Sequence, residues 1–169
     1  GLNISMTTPN GKSDIQTEQL SGDYFTGEPN RLNMKCGESL MTASADTILI
    51  KGEYNRLGMD LRITRKTPGL AIKPFYLDDD GEDYVNFNMP HVHSAATGRI
   101  KWNGKWIKVT GQAIVAHVNQ SVGLHDYSLH WNRIRFLNDD MTLLIGGVVA
   151  SDDFAEGYTL LVLAKGGQI

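Results

Sequence analysis

A single cysteine, Cys36, is all the thiol chemistry this chain carries, so neither an internal disulfide nor a cysteine-based zinc site can be built from it. No stretch approaches the roughly 18 consecutive apolar residues of a membrane-spanning helix. Basic residues are not in excess: 16 Lys+Arg stand against 19 Asp+Glu, a formal net charge of -3 that offers no electrostatic footprint for nucleic acid. Also missing are a phosphate-cradling glycine loop, a nucleophile elbow and a zinc-protease motif. No segment combines helix caps with a three-to-four apolar period over helical length, so less than about a tenth of the chain is expected to be helix.

What is present is turn-rich and strand-forming. The 169 residues suit one domain with a real core, and 41% hydrophobic against 21% charged residues excludes disorder of the whole chain. Residues 1–22 are polar and read as an irregular N-terminal arm, whose alternating Leu2, Ile4 and Met6 could add one edge strand. Thr47 to Tyr54 is β-branched, and Met59, Leu61 and Ile63 alternate with polar residues across an expected hairpin turn at Asn55 to Gly58. Leu70 to Leu77 reads as a further strand, ending in the acidic turn Asp78 to Gly81, read as solvated rather than calcium-binding. Asn103-Gly104 between two alternating runs is the strongest hairpin signal. Gly111 to Val118, Tyr127 to Leu137, Met141 to Ala150 and Tyr158 to Ala164 continue the pattern, with Ser151 to Gly157 as a turn. Residues 23–169 are therefore expected to form an all-β, antiparallel up-and-down meander of roughly nine or ten strands closing into a barrel.

In such a barrel, function lies in inward polar residues that a plain core would not want. His91 and His93, two apart on a strand, share a face and are either a metal-ligand pair or a hydrogen-bonded polar pair; no tightly bound metal and no cofactor are expected. His117 ends the apolar run from Ala113 and shares its face with Val115 and Asn119, as an acid or base at a cavity mouth would, or as an imidazole satisfied by backbone. Tyr127, Leu129, Trp131, Arg133 and Arg135 form one face of the next strand, with Trp131 as a cavity wall and Arg133 or Asn132 as a donor to ligand oxygen, or else as a core Trp beside a surface Arg. Asp126, Asp139, Asp140, Asp152 and Asp153 fall in turns, and Cys36 reads as core.

The run Tyr84 to Pro90, the hairpin Gly98 to Ala113 (GRIKWNGKWIKVTGQA), His117 and Trp131 to Asp140 (WNRIRFLNDD) together resemble the lipocalin-like superfamily of hydroxyneurosporene synthase, the carotenoid 1,2-hydratase, and of natural-product Diels-Alderases and cyclases. The resemblance spans roughly residues 84–150. The family's Asp, Trp and Gly are here Ala116, Asn119 and Met141, while His117 and Trp131 are kept. It implies a lipocalin-like barrel, alone or as half of a two-barrel protein. The implied activity is an enzyme of specialised metabolism that binds a hydrophobic small molecule and promotes its cyclisation or isomerisation, with His117, Asn119 and Trp131 as catalytic residues and Val115, Tyr127, Arg133 and His93 binding ligand. The alternatives are a non-catalytic hydrophobic carrier and a hydratase-like lyase. Expected partners are the small molecule and a second lipocalin-like domain or another copy of the chain, without nucleic acid or a membrane span. The cytoplasm is the expected compartment, and a processed secreted form also fits a chain beginning at Gly1.

Overall fold

A computed structural model of the protein describes residues 2–18, 25–28, 31–154 and 157–169. Its strands begin with β1 (Leu2–Thr7), β2 (Ser13–Glu18), β3 (Phe25–Glu28), β4 (Arg31–Cys36), β5 (Ser39–Ala43), β6 (Thr47–Tyr54) and β7 (Leu57–Arg65). The short β8 (Leu70–Ala71) and β9 (Phe75–Tyr76) precede the long β10 (Tyr84–Trp102) and β11 (Lys105–Gln120). A single helical turn, α1 (Leu124–Tyr127), leads into β12 (Ser128–Leu137), β13 (Met141–Ala150) and β14 (Tyr158–Lys165). Strand makes up 69% and helix 3%, and the sheets are antiparallel, as the alternating pattern requires.

Several boundaries differ from the sequence expectation for local reasons. The described part of the expected irregular arm is a hairpin, with β1 paired to β2 from Leu2↔Glu18 to Thr7↔Ser13; residues 19–22 lie outside the described residues. Alternating Leu2, Ile4 and Met6 supply one strand, and Gly11 at φ 80 makes the turn. The strand expected over 70–77 is split into β8 and β9, because Pro74 has no N–H to give a ladder. The turn expected over 55–58 is only Asn55-Arg56, with Asn55 in the left-handed region at φ 52. Asn103 and Gly104 both have positive φ, 48 and 80, as a two-residue hairpin turn demands. Residues 155–156 of the expected turn at Ser151 to Gly157 lie outside the described residues. Cys36 is half-buried rather than core.

The chain gathers into two compact units, 1–64 with 95–111 and 65–94 with 112–169, so that β10 and β11 each contribute to both. In the first unit the strand order is β11-β10-β7-β6-β5-β4-β3, a meander from β3 to β7, with β1-β2 as a separate pair. Ile4, Ile48, Leu57 and Ile63 are its buried apolar residues. Arg56 grips the Asp14 carboxylate with two hydrogen bonds, of 2.5 and 2.9 Å, and Asn55 donates to Gln16, tying β2 to the β6–β7 turn. Gly98 sits at φ 145, and a Cβ there would lie 2.1 Å from the Asp60 carbonyl oxygen.

In the second unit β8 and β9 pair with the first part of β10, and β12-β13-β14 form their own three-stranded sheet. Phe87, Met89 and Val92 of β10 pack against Leu144, Val162 and Ala164 of β13 and β14, joined by the partly buried Ile114 and Leu160. A second cluster gathers Leu77, Val85, Tyr127 and Val148. Each such side chain, fully buried, stabilises by about 1.5–3 kcal/mol. The opposite face of the three-stranded sheet stays exposed although it is apolar, with two cross-strand rows, Phe136–Leu143–Leu163 and Ile134–Ile145–Leu161. Of these six residues all but Leu143 are exposed.

Gly98→Ala combines a strained φ with a Cβ clash against main chain, and is expected to lower unfolding stability by at least about 2 kcal/mol in urea titration. A midpoint equal to the parent's would contradict this account of the β7–β10 contact.

Candidate functional site

Registry across β12-β13-β14 decides which side chains share the inner face. Directly opposed residues of an antiparallel pair point to the same side. Trp131 faces Val148, Arg133 faces Gly146 and Arg135 faces Leu144; on the other flank of β13, Tyr158, Leu160 and Val162 face the same three positions. Because Leu144, Val148 and Val162 are core residues, Trp131, Arg133 and Arg135 belong to the core side of the sheet. Yet they are exposed, Trp131 at 49%.

Between Leu144 and Val148 the inner face of β13 carries no side chain, because position 146 is glycine. A Cβ at Gly146 would meet only two atoms within 4 Å, the Asn132 carbonyl oxygen at 3.6 Å and Arg133 Cγ at 4.0 Å, both from neighbouring β12. Packing therefore does not require glycine there. Gly147 is different: its Cβ would come within 2.9 Å of the Tyr158 carbonyl oxygen, so close strand approach explains it. The inner face is thus hollow by one absent side chain at position 146, which Arg133 and Leu160 oppose in register and Trp131 adjoins, while Leu144 and Val148 on either side are buried in the core clusters.

Among the described residues no carboxylate compensates the charge beside position 146. The Arg133 guanidinium stacks over the Trp131 ring, 4.7 Å from its centroid. Partial burial, reinforced by the neighbouring Arg135 cation, lowers the proton affinity of Arg133 below that of an ordinary arginine, while leaving it charged. Among the described residues neither Arg133 nor Arg135 has a carboxylate partner.

The other expected site residues lie elsewhere. Ile114 packs into the β10/β13/β14 cluster, so alternation along β11 turns Val115, His117 and Asn119 to the opposite face. Val115 is half-buried, and His117 and Asn119 are exposed. Tyr127 is only 1% exposed and is core rather than ligand wall: it packs with Val148, meets Phe154 edge-on at 6.3 Å, and its phenol pairs with that of Tyr158.

His91 and His93 are both buried, but as hydrogen-bonding groups. His91 Nδ1 lies 3.0 Å from Ser94 Oγ. His93 Nε2 lies 3.2 Å from the Asp139 carbonyl oxygen, which can only accept, so Nε2 carries the proton and Nδ1 accepts from the Thr142 hydroxyl at 2.7 Å. Both His93 nitrogens are thereby committed, which removes His93 from the ligand set. The same Asp139 carbonyl accepts from Lys66 Nζ, and the Asp139 carboxylate accepts from Gln112 Nε2 at 2.7 Å, so the β12–β13 turn is clamped to β10 and β11. No group of three or more His, Cys, Asp or Glu suited to a metal occurs among the described residues. In the acidic turn the Asp78 carboxylate accepts from the backbone of Gly81 and Asp83, a turn cap. Gly146 is the residue that sequence reading missed; its signal was a glycine interrupting the otherwise apolar run Leu143 to Val149.

No protein-family model matches the chain, and no curated protein matches it. A solved structure does: the crystal structure named as a "putative ATTH" from Nitrosomonas europaea, 17% identical, superposes with a TM-score of 0.56 over 91% of this chain and 51% of that one. The likeness shows a shared fold alone, and the present chain spans about half the length of the protein it matches. No helix among the described residues is long and apolar enough to cross a membrane.

Two outcomes follow. Replacing His93 with Ala leaves the buried Thr142 hydroxyl without its ring partner and removes one bond to the Asp139 carbonyl, and should lower stability by about 2–4 kcal/mol in urea unfolding. Burial raises the Tyr127 phenol well above its usual value, with the Tyr158 phenol adding to the shift, and burial also raises Tyr158. Folding favours the neutral phenols, so this stabilisation is complete below about pH 10 and is lost as pH climbs through the raised folded-state values. Alkaline absorbance titration should show two of the six tyrosines ionising late, together with loss of near-ultraviolet circular dichroism. Six tyrosines titrating together in the folded protein would contradict it.

Proposed function

We propose that this protein is a lipocalin-like binding module for an apolar, conjugated small molecule, held over Gly146 with its body against Trp131. The observation that supports this reading is a glycine that packing does not require, on the core side of a sheet, beside an exposed Trp131–Arg133 stack. An apolar floor with few polar groups at one end is the usual chemistry of small-ligand sites. Among the described residues no His, Asp or Glu is opposed in register to Gly146 or to its inner-face neighbours Leu144 and Val148, and Ala116 stands where the resembled family has its Asp. The carrier reading and cyclisation by positioning both suit such a site. In the second, holding reacting atoms at near-attack geometry supplies up to about 7–11 kcal/mol without acid or base.

Fluorescence enhancement of cis-parinaric acid and of its methyl ester tests the reading. Saturable binding of at least one of them is expected. Gly146→Val should weaken it at least about tenfold with far-ultraviolet circular dichroism unchanged, and Trp131→Ala should weaken it similarly, whereas His117→Ala should leave it alone. The reading fails if neither polyene binds, or if the Gly146→Val protein binds as the parent does.

A further inference from the structure

Resting on that reading, we infer that the ligand is an anion, an apolar molecule ending in a carboxylate or a group of like charge, which Arg133 and Arg135 receive at the edge of the hollow. Two observations carry this beyond a generic apolar pocket. Arg133 and Arg135 both project from the inner face of β12, opposite Gly146 and Leu144, so their guanidinium groups belong to the side where the ligand body would lie. Among the described residues no carboxylate neutralises either of them, although 19 acidic residues are available in the chain and ion pairs form elsewhere, such as Arg56 with Asp14, Arg99 with Asp60 and Lys101 with Glu53.

The geometry also orders the two arginines. Arg133 is fixed by its stack on Trp131, which leaves the edge of its planar fork free to meet a carboxylate with two parallel hydrogen bonds. Arg135 is one inner-face position further along β12, lacks such a stack, and adds positive potential behind the first contact. Two like charges held side by side without a counterion repel each other. A bound anion removes that repulsion, so the site gains from binding in a way a neutral ligand cannot provide. Leu160, only partly buried and opposite Gly146 in register, then meets the hydrocarbon part.

The experiment compares cis-parinaric acid with its methyl ester at pH 7.5 in low salt, on the full chain. The parent should bind the acid at least about tenfold more tightly than the ester, since only the acid makes charge-assisted hydrogen bonds. Arg133→Gln should bring the two affinities within about threefold, and Arg133→Lys should restore part of the preference. Arg135→Gln should have the smaller effect, and the preference should shrink as salt rises. If the parent binds acid and ester equally, or if the preference survives Arg133→Gln combined with Arg135→Gln, the anion inference is overturned while the hydrophobic-ligand reading stands. If neither compound binds, both fall.

Discussion

The registry between β12 and β13 is the constraint on which the candidate site depends. Side chains alternate with a period of two, so a slip of one residue would carry Trp131, Arg133 and Arg135 to the outer face and bring Asn132, Ile134 and Phe136 inward. The pairing is held by what each strand buries. On β13, Thr142, Leu144 and Val148 are buried, and Thr142 is also bound to the His93 ring, which reaches the Asp139 carbonyl in the adjoining turn. The buried histidine thus acts on the site at a distance, by fixing the end of the sheet from which the registry is counted.

That clamp explains why a polar cluster occupies the interior of an otherwise apolar unit. Burying a hydroxyl or an imidazole without partners costs several kcal/mol, but here each ring nitrogen of His93 and the Thr142 hydroxyl is paired. Lys66 and Gln112 extend the network to the surface of the same unit. Apolar contacts between β10 and β13–β14 bring the two sheets together without direction, and the hydrogen bonds at Asp139 select one alignment among those the apolar contacts would allow.

Sequence legibility follows the range of each interaction. The hairpin at Asn103-Gly104 was plain, because two adjacent left-handed residues require that chemistry locally. All-β antiparallel architecture was legible for the same reason, each strand advertising its own alternation. The barrel was not settled by this route, since closure depends on which distant edges meet: the described ladders run from β3 to β7 and then to β10 and β11, with β12-β13-β14 apart. Of the face expected from Tyr127 to Arg135, Trp131, Arg133 and Arg135 share a side of β12, whereas Tyr127 lies in the helical turn and a register shift between Ser128 and His130 breaks the alternation before Trp131. His117 looked like part of a pocket because Ala113 and Val115 behind it are apolar. Ile114, equally apolar, is the residue that turns to the core, and one strand's sequence cannot say which of two apolar faces goes inward.

The same ambiguity bears on the exposed apolar rows of the outer face. Phe136, Ile134 and their neighbours on β13 and β14 make that side of the sheet as hydrophobic as its core side, so hydrophobicity alone does not orient β12. What orients it is the difference in shape between the two faces. The inner face has Tyr158, Val148 and Thr142 placed to mesh with the facing clusters and the His93 clamp; the outer face offers even rows whose polar residues, His130, Asn132 and Thr159 at one end and Lys165 at the other, lie at its margins. Arg133 and Arg135 then lie on the inner side as a consequence of the strand's pairing rather than of their own preference for water. Among the described residues no carboxylate pairs with them there, beside a glycine that its packing does not need. A strand edge can hold two such charges only because both remain partly hydrated, and the partial burial of Arg133 together with the proximity of Arg135 marks the point where that hydration begins to be lost.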